Sequence, residues 1–168
     1  MNFEDESFDD TTEKGSDELL SDDNLRLPES ANVLVRLHAI RAWLTRRQQE
    51  TTIEVGENAL ALQEVMQEGD YSRLRRRERE ALVARLQHAQ AALHAAQLRL
   101  ETYEEAEMLL EDCVTHTTSG ERVLVEYYLT LEELMNDVNE HENTSSPRRR
   151  ALADVQHRVE RVGAPGEE

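Results

Sequence analysis

The chain has 168 residues, 38% hydrophobic, 33% charged and 4% aromatic, with a formal net charge of −17. A chain of this length is expected to form about one domain. Its acidity repels bulk nucleic acid and anionic lipid, so binding either would need a local basic patch. Large apolar residues are too few for a compact sphere, whereas a long helix buries only a stripe. Elongated helices with unstructured flanks are therefore expected.

Residues 1–28 hold ten carboxylates against Lys14 and Arg26. They show no periodic apolar face, and the expectation is a disordered acidic tail. Removing it should leave the thermal midpoint within a few degrees. Phe3, Phe8, Leu19, Leu20, Leu25 and Leu27 lie among the acids. Acidic-hydrophobic mixtures of this kind can fold into a partner's groove.

Pro28 suits a helix start. Val33, Leu37, Ile40 and Leu44 then follow at helical spacing, flanked by Leu34 and Trp43. The pattern weakens after Thr51-Thr52, and Gly56 is a plausible kink or end. Leu60, Leu62, Val65 and Met66 resume it, and Gly69 suits a helix C-terminus.

The second span is expected from about Tyr71 to Val114. Leu82, Leu86, Ala89, Leu93, Ala96, Leu100, Tyr103, Glu107, Leu110 and Val114 alternate in steps of four and three, with Glu107 alone breaking the apolar run. A 3.5-residue repeat held this long marks helices packing lengthwise on helices. A second stripe through Ala91, Ala95, Leu98 and Leu109 favours a bundle. Leu93 and Leu100 are expected to be buried.

Thr118 with Glu121 forms a capping-box pattern. A third span carries Leu124, Tyr127, Leu131, Leu134, Val138 and His141, and breaks near Pro147. Beyond the break, Ser146 can cap a fourth helix with Pro147 at its first position; it carries Leu152, Val155, Val159 and Val162, and Gly163 ends it before a frayed end. The expected fold is all-α. It is an elongated three-helix up-down-up bundle or antiparallel coiled coil over 29–162, with 1–28 and 163–168 disordered. Its interface residues are Leu37, Ile40, Leu44, Leu86, Leu93, Leu100, Leu110, Leu124, Leu131 and Leu134.

Charge placement carries the functional reading. Arg73, Arg75, Arg76, Arg77 and Arg79 open the second helix, and Glu104, Glu105, Glu107, Glu111 and Asp112 close it. This inverts what the helix dipole favours. In an up-down-up bundle, Arg148, Arg149 and Arg150 would join Arg73, Arg75, Arg76 and Arg77 at one basic pole, a candidate docking site for an acidic partner. The basic runs lack aromatic interleaving, which argues against nucleic acid. Arg75–Arg77 and Arg148–Arg150 could also serve nuclear import. Ser146-Pro147-Arg148-Arg149 matches a proline-directed kinase site, and Ser7 with Asp9 and Asp10 an acidophilic one; these are candidate phosphosites.

Cys113 is the only cysteine, so no intramolecular disulfide can form and a reducing compartment is the default. No secretory signal and no apolar run of membrane-spanning length is present. A cytoplasmic chain is expected, cytoskeletal or nuclear within that. Cys113 and His116 form an isolated C-x-x-H pair without a second pair. No phosphate-binding loop, nucleophile elbow or HExxH occurs. No catalytic residue, metal or cofactor is expected. The favoured function is a non-enzymatic coiled-coil adaptor or scaffold subunit of an intracellular complex, cytoskeletal or centrosomal, that binds helical proteins or itself. The alternative is a nuclear regulator whose acidic tail engages a transcription or chromatin partner.

Overall fold

The computed structural model describes residues 11–68, 71–143 and 145–163. Among these residues all regular structure is helical. The helices are α1 (Thr11–Leu20), α2 (Val33–Gln67), α3 (Arg76–His116), α4 (Gly120–His141) and α5 (Pro147–Val162), with a single 3-10 turn at Tyr71–Arg73.

Helix α2 begins later than Pro28 suggests. Asn32 is its N-cap and accepts a hydrogen bond from the Val35 backbone N–H at 3.0 Å, satisfying one of the donors that a helix start leaves free. The helix runs through Gly56 without ending. Gly56 is exposed with open space around it, so it weakens the helix without breaking it. The apolar pattern fades after Thr51 because the seam itself becomes polar and small. Thr51 is buried, and Val55, Asn58, Leu62 and Val65 are half-buried behind it.

Helices α2 and α3 make the most extensive pairing in the fold. Their register is marked by three cross-helix ion pairs: Arg41–Glu111, Glu54–Arg99 and Glu68–Arg85. Between these pairs α2 advances 13 and 14 residues while α3 retreats 12 and 14. The helices therefore run antiparallel without a slip over roughly 40 Å, at 1.5 Å per residue. Alanines at 89, 92 and 96 line the α3 side of the seam, allowing the two backbones a close approach.

The third expected span is two helices folded back on one another. Helix α5 does not continue α4; it reverses after Glu142 and lies against it, with the Tyr128 hydroxyl donating to Glu160 at 2.8 Å. Relative to α2 it is also antiparallel, as Arg36 meets the Val162 carbonyl and Arg158 the Ala39 carbonyl. The body is thus four helices, up-down-up-down, where three were expected. The turn at 142–146 gives the reason: Pro147 cannot donate to a continuing helix and instead occupies the first position of a new one. Gly163 closes α5 and is buried; a Cβ there would lie 2.8 Å from the Val159 carbonyl oxygen.

The core occupies one end of the long helices. It contains Leu37, Ala39, Ile40, Trp43 and Leu44 of α2; Tyr103, Ala106 and Leu110 of α3; Val123, Leu124, Tyr127, Leu131 and Val138 of α4; and Ala151, Leu152, Val155, Val159 and Val162 of α5. Of the expected interface residues, Leu37, Ile40, Leu44, Leu110, Leu124 and Leu131 are buried here. Leu134 is half-buried against the same core. Leu86, Leu93 and Leu100 are only half-buried, which corrects the expected burial of Leu93 and Leu100. Their seam faces α2, but α4 and α5 are too short to cover its other side along the whole of α3.

A two-helix arm follows from these unequal lengths. Helix α3 has 41 residues and α5 has 16, about 60 Å against about 24 Å. Beyond the level of Thr51 and Arg99, where α5 begins at Pro147, α2 and α3 have only each other among the described residues. In this arm Leu82 is buried, while Ile53, Leu60, Met66 and Val83 are exposed.

The extent of the acidic tail is also corrected. Residues 1–10 lie outside the described residues, as do 164–168. Residues expected to be unstructured with them instead form α1 and a following segment laid on the body. Leu20, Leu25 and Leu27 pack against the core, and Ser21 is buried. Removing residues 1–26 is therefore expected to destabilise the body, contrary to the sequence-based expectation.

Two outcomes test this architecture. Leu110→Ala, at a site with 0% exposure, should cost about 2–5 kcal/mol in denaturant unfolding. Leu93→Ala, at a half-covered site, should cost about 1 kcal/mol; equal costs would contradict a bare arm. Amide hydrogen exchange should show 55–67 and 76–92 losing protection at lower free energy than 37–44 and 151–162, because the arm has few buried contacts.

Candidate interaction surfaces

The arm ends in an arginine cluster. After the 3-10 turn, Arg75 takes the N-cap position of α3, and its backbone N–H donates to Glu78 Oε2 at 2.8 Å. Arg75, Arg76, Arg77 and Arg79 are exposed around this end. Arg76 pairs with Glu80 one turn on at 3.1 Å, and Arg79 donates to the Leu74 carbonyl at 2.9 Å. Both contacts are local and solvent-facing, so they contribute little to stability. Arg85 makes a forked pair with Glu68 across the arm. Within this exposed pair, hydrogen bonding to Arg85 is the chief cause that draws the Glu68 carboxyl below its ordinary value.

The single basic pole does not form. Arg148 donates to Glu105 at 3.1 Å and lies 3.8 Å from Glu142. Glu105 is 29 residues along α3 from Arg76, about 40 Å of helix. Arg148–Arg150 therefore belong to the middle of the molecule, while Arg73 and Arg75–Arg77 stand at the arm tip. The reason is the reversal of α5, which brings Arg158 and Arg161 to the body's far end. Two smaller basic regions replace the one pole. Of the candidate phosphosites, Ser7 lies outside the described residues. Ser146 is the N-cap of α5, and its hydroxyl donates to Glu142 while its oxygen accepts no capping bond from a helix N–H.

The densest polar constellation lies at the opposite end from the arm, where the N-terminal segment crosses α2 and α5. Arg158 is 3% exposed. Its guanidinium donates to three backbone carbonyls: Asp22 at 2.6 Å, Leu20, and Ala39 at 3.3 Å. Burial pulls its pKa down to about 10, with the Asp23 charge opposing the shift. Trp43 lies beneath this arginine, with the guanidinium carbon 5.9 Å from the ring centroid, and Arg47 approaches the ring at 5.2 Å. Such cation–ring contacts add to the hold. The Trp43 indole N–H donates to Asp23 Oδ1 at 2.7 Å, and Arg47 lies 3.3 Å from the same oxygen. Arg46 donates to the Ser21 carbonyl at 3.1 Å. Partial burial pushes the Asp23 carboxyl up, but the indole bond and the charges of Arg47, Arg46 and Arg158 outweigh it and hold the carboxyl below its ordinary 3.8.

Arg36 makes a second clasp nearby. It donates to the carbonyls of Val162, Ala31, Pro28 and Glu29. Val162 ends α5, so the cation also sits where the helix dipole is negative. Sequence reasoning missed both arginines. A usable signal exists: Ala151, Val155, Arg158 and Val162 step four, three, four along one face, which puts an arginine inside an apolar stripe. A stripe-borne arginine must find acceptors, and an acidic segment with leucines supplies them.

Little else gathers chemistry-bearing groups. Among the described residues, the one cluster of three metal-ligand types is Asp137, Glu140 and His141, all exposed at the end of α4. Cys113 is half-buried and, like His116, borders a shallow hollow beside α4; burial pushes its thiol pKa up, away from the reactive thiolate. Burial, with Asp154 beside the ring, pushes the Tyr103 hydroxyl up to about 12, and that hydroxyl serves as a donor to Asp154 at 3.2 Å. No described helix is long and apolar enough to cross a membrane. Comparisons with protein-family models, with curated proteins and with solved structures found no match.

The Asp23 contact carries a pH signature. A depressed folded-state carboxyl stabilises the fold above its unfolded value, and that stabilisation is lost as pH falls through the lower folded value. Asp23→Asn should therefore destabilise the protein at neutral pH, and the difference from wild type should shrink as pH drops below 3.8. Paired thermal melts across pH 2.5–7 would show this. A difference constant to the acid limit would place the carboxylate outside the clasp.

Proposed function

We propose that the protein is a non-enzymatic helical adaptor or scaffold subunit of an intracellular complex, whose projecting α2–α3 arm engages a helical partner. The carrying observation is the arm itself. A helical pair reaching well past its own core buries little and stabilises the body little, while it presents Ile53, Leu60, Met66 and Val83 to solvent. Exposed apolar side chains on a coiled-coil pair suit a partner helix laid alongside. The exposed arginines at the tip add steering toward an acidic partner. A cytoskeletal or centrosomal setting suits a scaffold of this shape, and self-association through the arm falls within the same reading.

The nuclear-regulator reading asks the acidic tail to be the working part. Asp22 and Asp23, and through His38 also Asp17, are engaged with the body, which favours the arm over the tail.

Affinity purification would compare wild type with a variant carrying Ile53→Ser, Leu60→Ser and Met66→Ser, all at exposed positions. Partners specific to wild type should fall at least tenfold in the variant, with helicity and melting temperature preserved. Undiminished recovery by a folded variant would refute the arm as the docking element.

A further inference from the structure

We infer that the arginine-lined groove between α2 and α5, filled here by residues 17–25, is a second binding site, on the body, for an acidic leucine-containing segment of a partner protein. The resident segment occupies it as an exchangeable stand-in. The groove stands apart from the arm and would bind whether or not the arm has a partner.

The mode of recognition supports this. Arg158 and Arg46 hold the segment through the backbone carbonyls of Leu20, Asp22 and Ser21. Any chain following the same path offers those acceptors. Specificity enters at one carboxylate, Asp23, read by the Trp43 indole and Arg47, and at apolar side chains such as Leu20 and Leu25. That is a grammar for a short motif: leucine, then acids. None of these contacts requires the ligand to be covalently continuous with α2.

The resident segment also leaves the groove unsatisfied. Arg47 Nε and Arg158 Nε are buried and donate to no acceptor among the described residues. Buried unpaired donors are costly, and these two flank the same carboxylate. Arg47 and Arg158 also line a hollow shared with Asp23, Asn24, Asp154, His157 and Arg161. A ligand with an acid where this chain has Asn24 would bring a carboxylate to that hollow. Even with Asp23 and Asp154 on its wall, the hollow carries three arginines against two carboxylates, so a further acid suits it. Helix α1 is exposed along Gly15–Leu19 and meets α2 there through the solvent-facing Asp17–His38 contact.

The intramolecular segment competes at an effective concentration in the millimolar range, so the test weakens it in the full-length chain. A fluorescein-labelled peptide with the sequence of residues 15–27 would be titrated into full-length wild type and full-length Asp23→Ala, reading anisotropy together with the emission of Trp43, the only tryptophan. Asp23→Ala should bind at least tenfold tighter than wild type. A second peptide carrying Asn24→Asp should bind tighter than the first. Adding Arg158→Ala to the Asp23→Ala chain should abolish binding; if that arginine change costs helicity, Arg46→Ala, at a partly exposed site, should weaken binding several-fold instead. Equal affinity of wild type and Asp23→Ala, or binding indifferent to both arginine changes, would overturn the inference. Sedimentation showing that Asp23→Ala dimerises and excludes the peptide would overturn it too, by making a second copy the occupant.

Discussion

The antiparallel register of α2 and α3 is the constraint on which the remaining architecture depends. Once Arg41–Glu111, Glu54–Arg99 and Glu68–Arg85 align the two helices, every other element has a fixed place to pack. Exposed ion pairs of this sort add little net stability. Their role is specificity, because a shift of one heptad would set Glu54 against Ala92 or Ala106 and Glu68 against Glu78 or Ala92, losing both pairs. The apolar contribution comes from the body end, where four helices share one core. The ion pairs hold the register where the seam is too thin and too rich in alanine to do so.

The same register explains the inverted charge order of α3. Arginines at the start of a helix and acids at its end oppose the dipole, at a cost of tenths of a kcal/mol each when exposed. At the closing end the acids are used: Glu111 by Arg41, Glu107 by Gln48 and Glu105 by Arg148. Three different neighbours thus draw on one acidic stretch. At the opening end most of the arginine contacts are local, which leaves a basic tip on an acidic protein. Shape and charge together separate the molecule into a packed body and an extended arm.

At the far end of the body, burial of a guanidinium organises the chain's N-terminal segment. A charge taken out of water requires a full set of acceptors. Arg158 finds them in three carbonyls, two of which belong to the N-terminal segment whose Leu20, Leu25 and Leu27 pack against the core. Arg36 does the same for the loop before α2 and the end of α5. Two arginines thus link the first, second and last elements through main-chain contacts, which depend on path more than on side-chain identity.

The helices themselves were legible in the residues. Alternating steps of three and four placed Leu82 to Val114 on one helix, Pro147 and Gly163 bounded α5, and the stripes named most of the body's core. Local periodicity suffices for this because each stripe records which face of its own helix meets other helices. It does not record how long the neighbours are, so Leu93 and Leu100 on one apolar stripe were read as buried although α5 begins only at the level of Arg99 and leaves the arm uncovered. Nor does it record direction across a break, so the turn at 142–146 left the reversal of α5 undetermined, and with it the separation of Arg148–Arg150 from Arg75–Arg77. The docking of residues 17–25 was beyond local reading for a further reason. Its partners, Trp43 and Arg158, lie 20 and more than 130 residues away in the chain, and only the tertiary fold brings a buried cation to an acidic segment that has no periodic face of its own.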